Sequence, residues 1–219
     1  MDSYFARDVQ ELFNLGKRAE FLRMLELVLR QSGGMLEITS LAKHTGVSRP
    51  TLGVWLDILQ ITHVAFLLRP FEAGGRREIL AQPKVYGFDT GFVRFARGWE
   101  DLHTEDLGLL WEHLVLDTLR AAPCRNIRFW RDKQQRGMDF VLPRGRETVD
   151  AIECKWNPDA FEPRGLKAFR ENYPKGRNFL LSPGVRHRSI RNLGGLEVVA
   201  LPIEMLREEM VGSPAPRTG

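Results

Sequence analysis

The sequence predicts an α+β protein in two modules. Residues 1–97 form a helical region ending in a winged helix-turn-helix, residues 98–210 an α/β domain whose mixed sheet is flanked by helices, and residues 211–219 a disordered tail by composition. Two observations carry this reading. Apolar residues recur at helical spacing through the first sixty positions, with a glycine turn and a serine cap set between two helices. Beyond residue 100 the pattern changes to one long helix followed by short β-rich runs with a single helical stretch among them.

Taken in order, Phe5, Val9, Leu12 and Phe13, then Phe21, Leu22, Leu25, Val28 and Leu29, predict two helices joined at Gly16 in "NLGKR". Leu41 and Ala42 sit in a short helix, Gly46 permits a tight turn, and Ser48 caps a second helix running to Leu59 with Pro50 in its first turn. "HVAFLLRPF" and "RREILAQPKVYGF" read as two strands separated by "EAGG", with Arg76 and Arg77 in the basic wing. "FDTGFVRFARGWED" reads as a connector. "EDLGLLWEHLVLDTLRAA" is an amphipathic helix with Leu107, Leu110, Trp111, Leu114 and Val115 in its stripe. "NIRFWRDK" is a strand, "GMDFVLP" and "TVDAIECKW" make a hairpin around "RGRE", Pro163 opens the helix "EPRGLKAFREN", and "RNFLLSP" and "LEVVALP" are buried strands.

With 219 residues, 43% apolar and 27% charged, the composition is that of a soluble globular chain. Its two cysteines, Cys124 and Cys154, have no CxxC spacing, which excludes a disulfide framework and a structural zinc site and fits a reducing cytoplasm. No signal peptide and no membrane-spanning run is expected. The net charge of +4 is uneven: residues 121–195 alone carry 16 basic against 8 acidic side chains, an excess that suits a polyanion.

That basic region surrounds "DAIECKW", where a strand interior is a costly place for charge. Alternation sends Glu153 and Lys155 to the same face, and antiparallel pairing of the hairpin brings Asp139 close to Glu153. Two carboxylates repel each other unless a cation is present, and a hard oxygen site with few protein ligands suits Mg²⁺ or Mn²⁺. Such an ion activates water against a phosphodiester, with Lys155 orienting that water and offsetting the developing charge. Glu112, with Val115, Leu116 and Leu119 following at helical spacing, points partly along an apolar side and is the candidate third acid of the cation shell.

In this order Glu112, Asp139, Glu153 and Lys155 resemble the PD-(D/E)xK nuclease superfamily, whose restriction-endonuclease-like fold is a mixed sheet flanked by helices. The wider series "SYFARDVQEL", winged helix, "YGFDTGFVRF", "LGLLWEHLVLDTL", "IRFWRDKQQRGMDFVL" and "AIECKW" is similar to the C-terminal half of a family of prokaryotic AAA-type ATPases. The resemblance spans nearly the whole chain, from Ser3 to Leu206. It implies a P-loop ATPase half ahead of the winged helix, yet these residues contain no GxxxxGK[ST], so ATP hydrolysis is not assigned here; a truncated product and a split one with a separate ATPase partner are the two alternatives. Family members also carry an acid near the strand aspartate, as in "EVDF", where this chain has Met138 in "GMDF".

Other residues take lesser roles. Arg131, Lys133, Arg136, Arg144 and Arg146 around the site, Arg164 and Lys167 on the next helix, and Arg49, Arg76 and Arg77 in the winged helix are candidate nucleic-acid contacts. Within the second winged-helix helix the readers would be Thr51, Trp55, Asp57 and Gln60. Cys154 alternates away from Glu153, the five histidines lack paired ligand spacing, and Trp130 and Trp156 are either core or base-stacking aromatics. Two functions follow from these residues: a metal-dependent nuclease acting on nucleic acid, DNA favoured, or a non-catalytic DNA-binding or adaptor protein working through the winged helix.

Overall fold

Phe21, Met24, Leu25, Val28 and Leu29 recur at the helical period and become the buried face of helix α1 (Arg18–Arg30). The computed structural model describes residues 17–72, 82–122, 124, 126–145 and 147–211; the first expected helix, Arg76, Arg77, Arg146 and the tail from 212 lie outside them. Among the described residues the protein is α+β, with seven α-helices, a two-stranded antiparallel sheet and a six-stranded mixed sheet. No helix among them is long and apolar enough to cross a membrane. The chain divides into two compact units, residues 17–68 with 82–101, and residues 69–72 with 102–211.

In the first unit α2 (Ile38–Thr45) stops at Gly46, whose φ of 69° is the left-handed conformation a glycine adopts without strain. Ser48 then caps α3 (Arg49–Ile61), its side chain accepting from the Thr51 N–H, with Pro50 in the first turn. Strands β1 (Ala65–Leu68) and β2 (Lys84–Gly87) pair antiparallel. Trp55 is not an exposed reader: it is 4% exposed and stands edge-on against Phe21, at 5.4 Å between ring centroids, because the inward stripe of α3 passes through it. The "FDTGFVRFARGWED" segment is not a plain connector either. It forms α4 (Thr90–Arg97), capped by Asp89 and closed at Gly98, with the Arg97 guanidinium donating to the carbonyls of Arg30 and Ser32.

The second unit is built on α5 (Thr104–Ala121), β3 (Arg128–Arg131), β4 (Gly137–Pro143), β5 (Val149–Cys154), α6 (Pro163–Asn172), β6 (Asn178–Leu181), β7 (Ser189–Leu193), β8 (Leu196–Leu201) and α7 (Leu206–Val211). The sheet runs β3-β4-β5-β6-β8-β7, with β5, β6 and β8 parallel and the outer pairs antiparallel. β7 answers no predicted strand; it is half-exposed throughout and is held as a hairpin by Gly194 and Gly195, both at positive φ. Residues 69–72 also belong here, since Phe71 N–H donates to the Phe129 carbonyl (2.7 Å) along the outer side of β3. On α5 the buried stripe is Trp111, His113, Val115, Leu116 and Leu119, so the expected stripe is rotated and Leu114 is left exposed.

Leu166, Ala168 and Phe169 of α6 join Trp130, Met138, Val149, Ala151, Leu180 and Val198 in one core. Two charged groups fasten this layer. Arg170 is buried and donates to Asn178 Oδ1 (2.6 Å) and to the carbonyls of Val149 (3.0 Å), Tyr173 (3.0 Å), Lys175 (3.1 Å) and Arg177 (2.8 Å), clamping α6 onto the entry ends of β5 and β6. Asp150 is 2% exposed and accepts from Arg144 Nε (3.0 Å), Arg177 Nη2 (2.8 Å) and the Arg177 backbone N–H (2.9 Å). Burial works against its charge, but the Arg177 and Arg144 contacts outweigh it and hold the carboxyl below the usual aspartate range.

Asp150→Asn leaves two guanidinium groups short of a buried counter-charge and is expected to cost about 3 kcal/mol at neutral pH. Because the folded pKa is depressed, this stability is present above the ordinary aspartate value and vanishes as pH falls through the folded one. Urea unfolding of both proteins across that range measures it, and equal midpoints at pH 7 would refute it.

Candidate active site at the end of strand β5

The antiparallel register Phe140↔Ile152 and Val141↔Ala151, continued by one residue, sets Asp139 beside Glu153. The Cys154 N–H donates to Asp139 Oδ2 at 2.9 Å, which fixes that carboxylate across the strand end. Glu153 shares the parity of Val149 and Ala151, so it points toward the side of the sheet that α6 covers. Lys155, just past the strand, has its N–H on the Leu181 carbonyl (3.0 Å), and its Nζ lies 2.7 Å from Glu153 Oε1.

Burial raises the Glu153 carboxyl first, and the neighbouring Asp139 charge raises it further, to about 8; Lys155 opposes this and Glu112 adds a smaller push upward. Its side chain is only 14% exposed, so water does little to relieve it. For Lys155 burial works downward, yet the Glu153 and Asp139 charges prevail and hold the ammonium above its ordinary value. The site sets two carboxylates against one fixed ammonium, and Glu153 is the acid whose charge is disfavoured.

Glu153 and Lys155 edge a cleft of about 390 Å³ lined also by Gln134, Gln135, Arg136, Gly137, Ala160, Glu162, Arg164 and Gly165. Its shape depends on how closely α6 approaches β4. A Cβ at Gly165 would come within 2.5 Å of the Gly137 carbonyl, so a larger residue there would lift the helix from the strand. Gln134, Gln135 and Glu162 were not expected at the site. They come from a loop and a helix cap, whose side chains carry no periodic signal.

Glu112 stands half-buried on α5 and reaches Glu153 as the weakest of the charges acting on it. The three-carboxylate shell expected from the sequence is not assembled: among the described residues no group of three or more Asp, Glu, His or Cys could hold a metal ion. The helix sets the height of Glu112 through its buried neighbours Val115, Leu116 and Leu119, and it brings the acid near the cluster without joining it. Two carboxylates on adjacent strands remain, a donor set of hard oxygens that fits an ion keeping most of its waters, as Mg²⁺ does.

Of the expected phosphate contacts, Arg136 and Arg164 line the cleft, Arg136 with its Nε on Asp132 (2.6 Å). Arg131, Lys133 and Lys167 are exposed, and so is Arg49, whose Nη2 donates to Thr39 Oγ1 (3.2 Å). Arg144 is not a surface contact. It is committed to Asp150 and to the Met210 carbonyl and sulfur, because a buried carboxylate requires a cation. Cys154 is buried as alternation predicts, Trp130 lies in the core, and Trp156 stays 40% exposed.

Residues 107–206 match the family model described as a domain of unknown function (DUF4143), which occurs in AAA-ATPase-associated proteins, and residues 1–103 match a second domain of unknown function (DUF8612). No curated protein matches the chain.

The raised Glu153 makes stability pH-dependent in a definite direction. A carboxyl whose folded pKa lies above its unfolded value stabilises below the latter and loses that contribution as pH rises through about 8. Without divalent ions, wild type is expected to fall in Tm relative to Glu153→Gln between about pH 6 and pH 9. Parallel melting curves for the two proteins over that interval would contradict the assignment.

Proposed function

We propose that the second unit is a PD-(D/E)xK nuclease-like domain that hydrolyses phosphodiester bonds in nucleic acid. The observation that carries this reading is the convergence of Asp139, Glu153 and Lys155, in which burial and the Asp139 charge raise the Glu153 carboxyl while Lys155 pairs with it, at the edge of a cleft that also presents Arg136 and Arg164. A structural ion pair has no need of the second carboxylate, and Asp150 illustrates how this fold neutralises an acid it only buries.

Asp139 and Glu153 are the residues that would hold Mg²⁺ or Mn²⁺, with Glu112 acting through water. When bound, the ion polarises a phosphoryl oxygen and lowers the pKa of its water. Lys155 keeps its proton under the influence of Glu153 and Asp139 and supplies a fixed positive charge for the negative charge developing on the phosphoryl group. Arg136 and Arg164 hold the flanking phosphates, and the basic excess of residues 121–195 supplies affinity without base readout. The context of the DUF4143 match supports coupling to an ATPase module, with the first unit as the winged helix of such an assembly.

One observation favours a second reading for that winged helix. The exposed side of α3 carries Pro50, Gly53, Val54, Asp57 and Ile61, with Val54 58% and Ile61 67% exposed and Arg49 as its single basic residue. Such a face suits a protein partner better than a duplex, whose phosphates ask for cations.

The test is incubation of labelled linear, single-stranded, flapped and four-way DNA and RNA with Mg²⁺, Mn²⁺ or EDTA. Metal-dependent cutting is expected from wild type and is expected to drop at least a hundredfold in Asp139→Ala and Lys155→Ala, about the effect of losing a charge that stabilises the transition state. Absence of cutting under every metal, with salt-sensitive binding intact in both variants, would move the function to the adaptor reading.

A further inference from the structure

Beside the acidic cluster lies a second cleft of about 390 Å³, lined by Trp111, Ser182, Val185, Arg186, Ile203 and Glu204 among others. It opens where β6 and β8 end, the side of a parallel sheet at which ligands commonly bind. Its chemistry differs from the first. There Lys155, Arg136 and Arg164 outnumber Glu153 and Glu162. Here Arg186 and Glu204 carry opposite charges, and Trp111, Val185 and Ile203 add apolar surface beside Ser182. The first cleft suits a phosphate and the second a neutral, flat, partly polar group.

Trp156 lies in the chain between residues of the two clefts. It directly follows Lys155, its carbonyl accepts from Ser182 Oγ (3.1 Å), and its ring meets Trp111 edge-on at 6.4 Å between centroids. Ser182 and Trp111 both line the second cleft, so the Trp156 backbone is tied to one lining residue and its indole stands against another. Core packing does not account for it. Trp130, Trp55 and Trp111 are 7%, 4% and 6% exposed, whereas Trp156 keeps 40% of its surface in water despite a fixed backbone and a neighbouring apolar wall.

We propose that Trp156 and this second cleft take an unpaired nucleobase, so that the substrate of the site is single-stranded nucleic acid or a single-stranded end. The inference rests on the nuclease reading for its substrate class, not for its binding. A base inside a duplex is stacked on both sides and offers no face to an indole, whereas an unpaired base stacks on it whatever its identity. Arg186 then contacts a backbone phosphate, and Glu204 accepts from an exocyclic amine. The phosphate next to the stacked base is thereby placed over Lys155 and Glu153.

The experiment is fluorescence anisotropy in EDTA, where no cleavage occurs, with fluorescein-labelled oligothymidylate, oligouridylate and a duplex of equal length, using the full chain and its Trp156→Ala and Trp156→Phe variants. Wild type is expected to bind both single strands more tightly than the duplex. Trp156→Ala is expected to weaken single-strand binding roughly tenfold, the equivalent of one lost base stack, and Trp156→Phe to restore most of it, with duplex affinity equal in all three. Circular dichroism of the variants checks that the half-exposed position tolerates the change. An unchanged single-strand affinity in Trp156→Ala, an equal loss on the duplex, or a Phe variant as weak as Ala would overturn the proposal. Loss of cleavage alone, with this pattern intact, would count against the nuclease reading and leave the base subsite standing.

Discussion

Strand β5 has to carry two carboxylates through the middle of a six-stranded sheet, and the second unit is arranged around how each is handled. At the entry end Asp150 receives Arg144 and Arg177, which in turn reaches Glu209 (3.1 Å) and so fastens α7. Its charge is favoured. At the exit end Glu153 receives Lys155, with a second acid beside it, and its charge is disfavoured. Opposite pKa directions on one strand separate an acid that serves the fold from one the fold tolerates, and groups of the second kind concentrate at functional sites.

The cost of that tolerance is met by rigidity nearby. Arg170 satisfies four backbone carbonyls and Asn178, which fixes α6 without a carboxylate partner and keeps a buried guanidinium charged even though burial pulls its pKa down to about 10. Gly165 then lets the first turn of the same helix touch β4 at Gly137. The cleft walls are therefore set by backbone contacts, and the side chains projecting into it can differ in charge without moving them.

Much of this was legible in the sequence. Pro163 opens α6 where its fixed φ predicts, and "GMDFVLP" spans Gly137–Pro143, because alternation and proline act locally. The convergence of Asp139, Glu153 and Lys155 was also readable, since a hairpin register and a period of two determine it. What escaped depends on tertiary context. Helix α4 has only eight residues and rests on Asp89 and on Arg97 reaching back to α1. Strand β7 has little apolar content of its own and pairs only because the Gly194–Gly195 turn returns the chain onto β8. Arg144 and Arg136 look alike in sequence, and only the buried acid beside one of them distinguishes clamp from cleft. Whether a tryptophan faces solvent likewise depends on which neighbours happen to cover it, as Trp130 and Trp156 illustrate.

The strip at 69–72 bears on how such a protein could be divided or recombined. The two family matches meet between residues 103 and 107, as though one cut would yield two self-sufficient pieces. Yet the residues that pair along the outer side of β3 are encoded well before that cut, inside the first match. A fragment beginning at residue 104 would expose the bare margin of its sheet, an invitation to pair with another chain. Inheritance of the second unit as an independent cassette is therefore constrained: it must travel with a short piece of its neighbour or acquire a substitute for that strip.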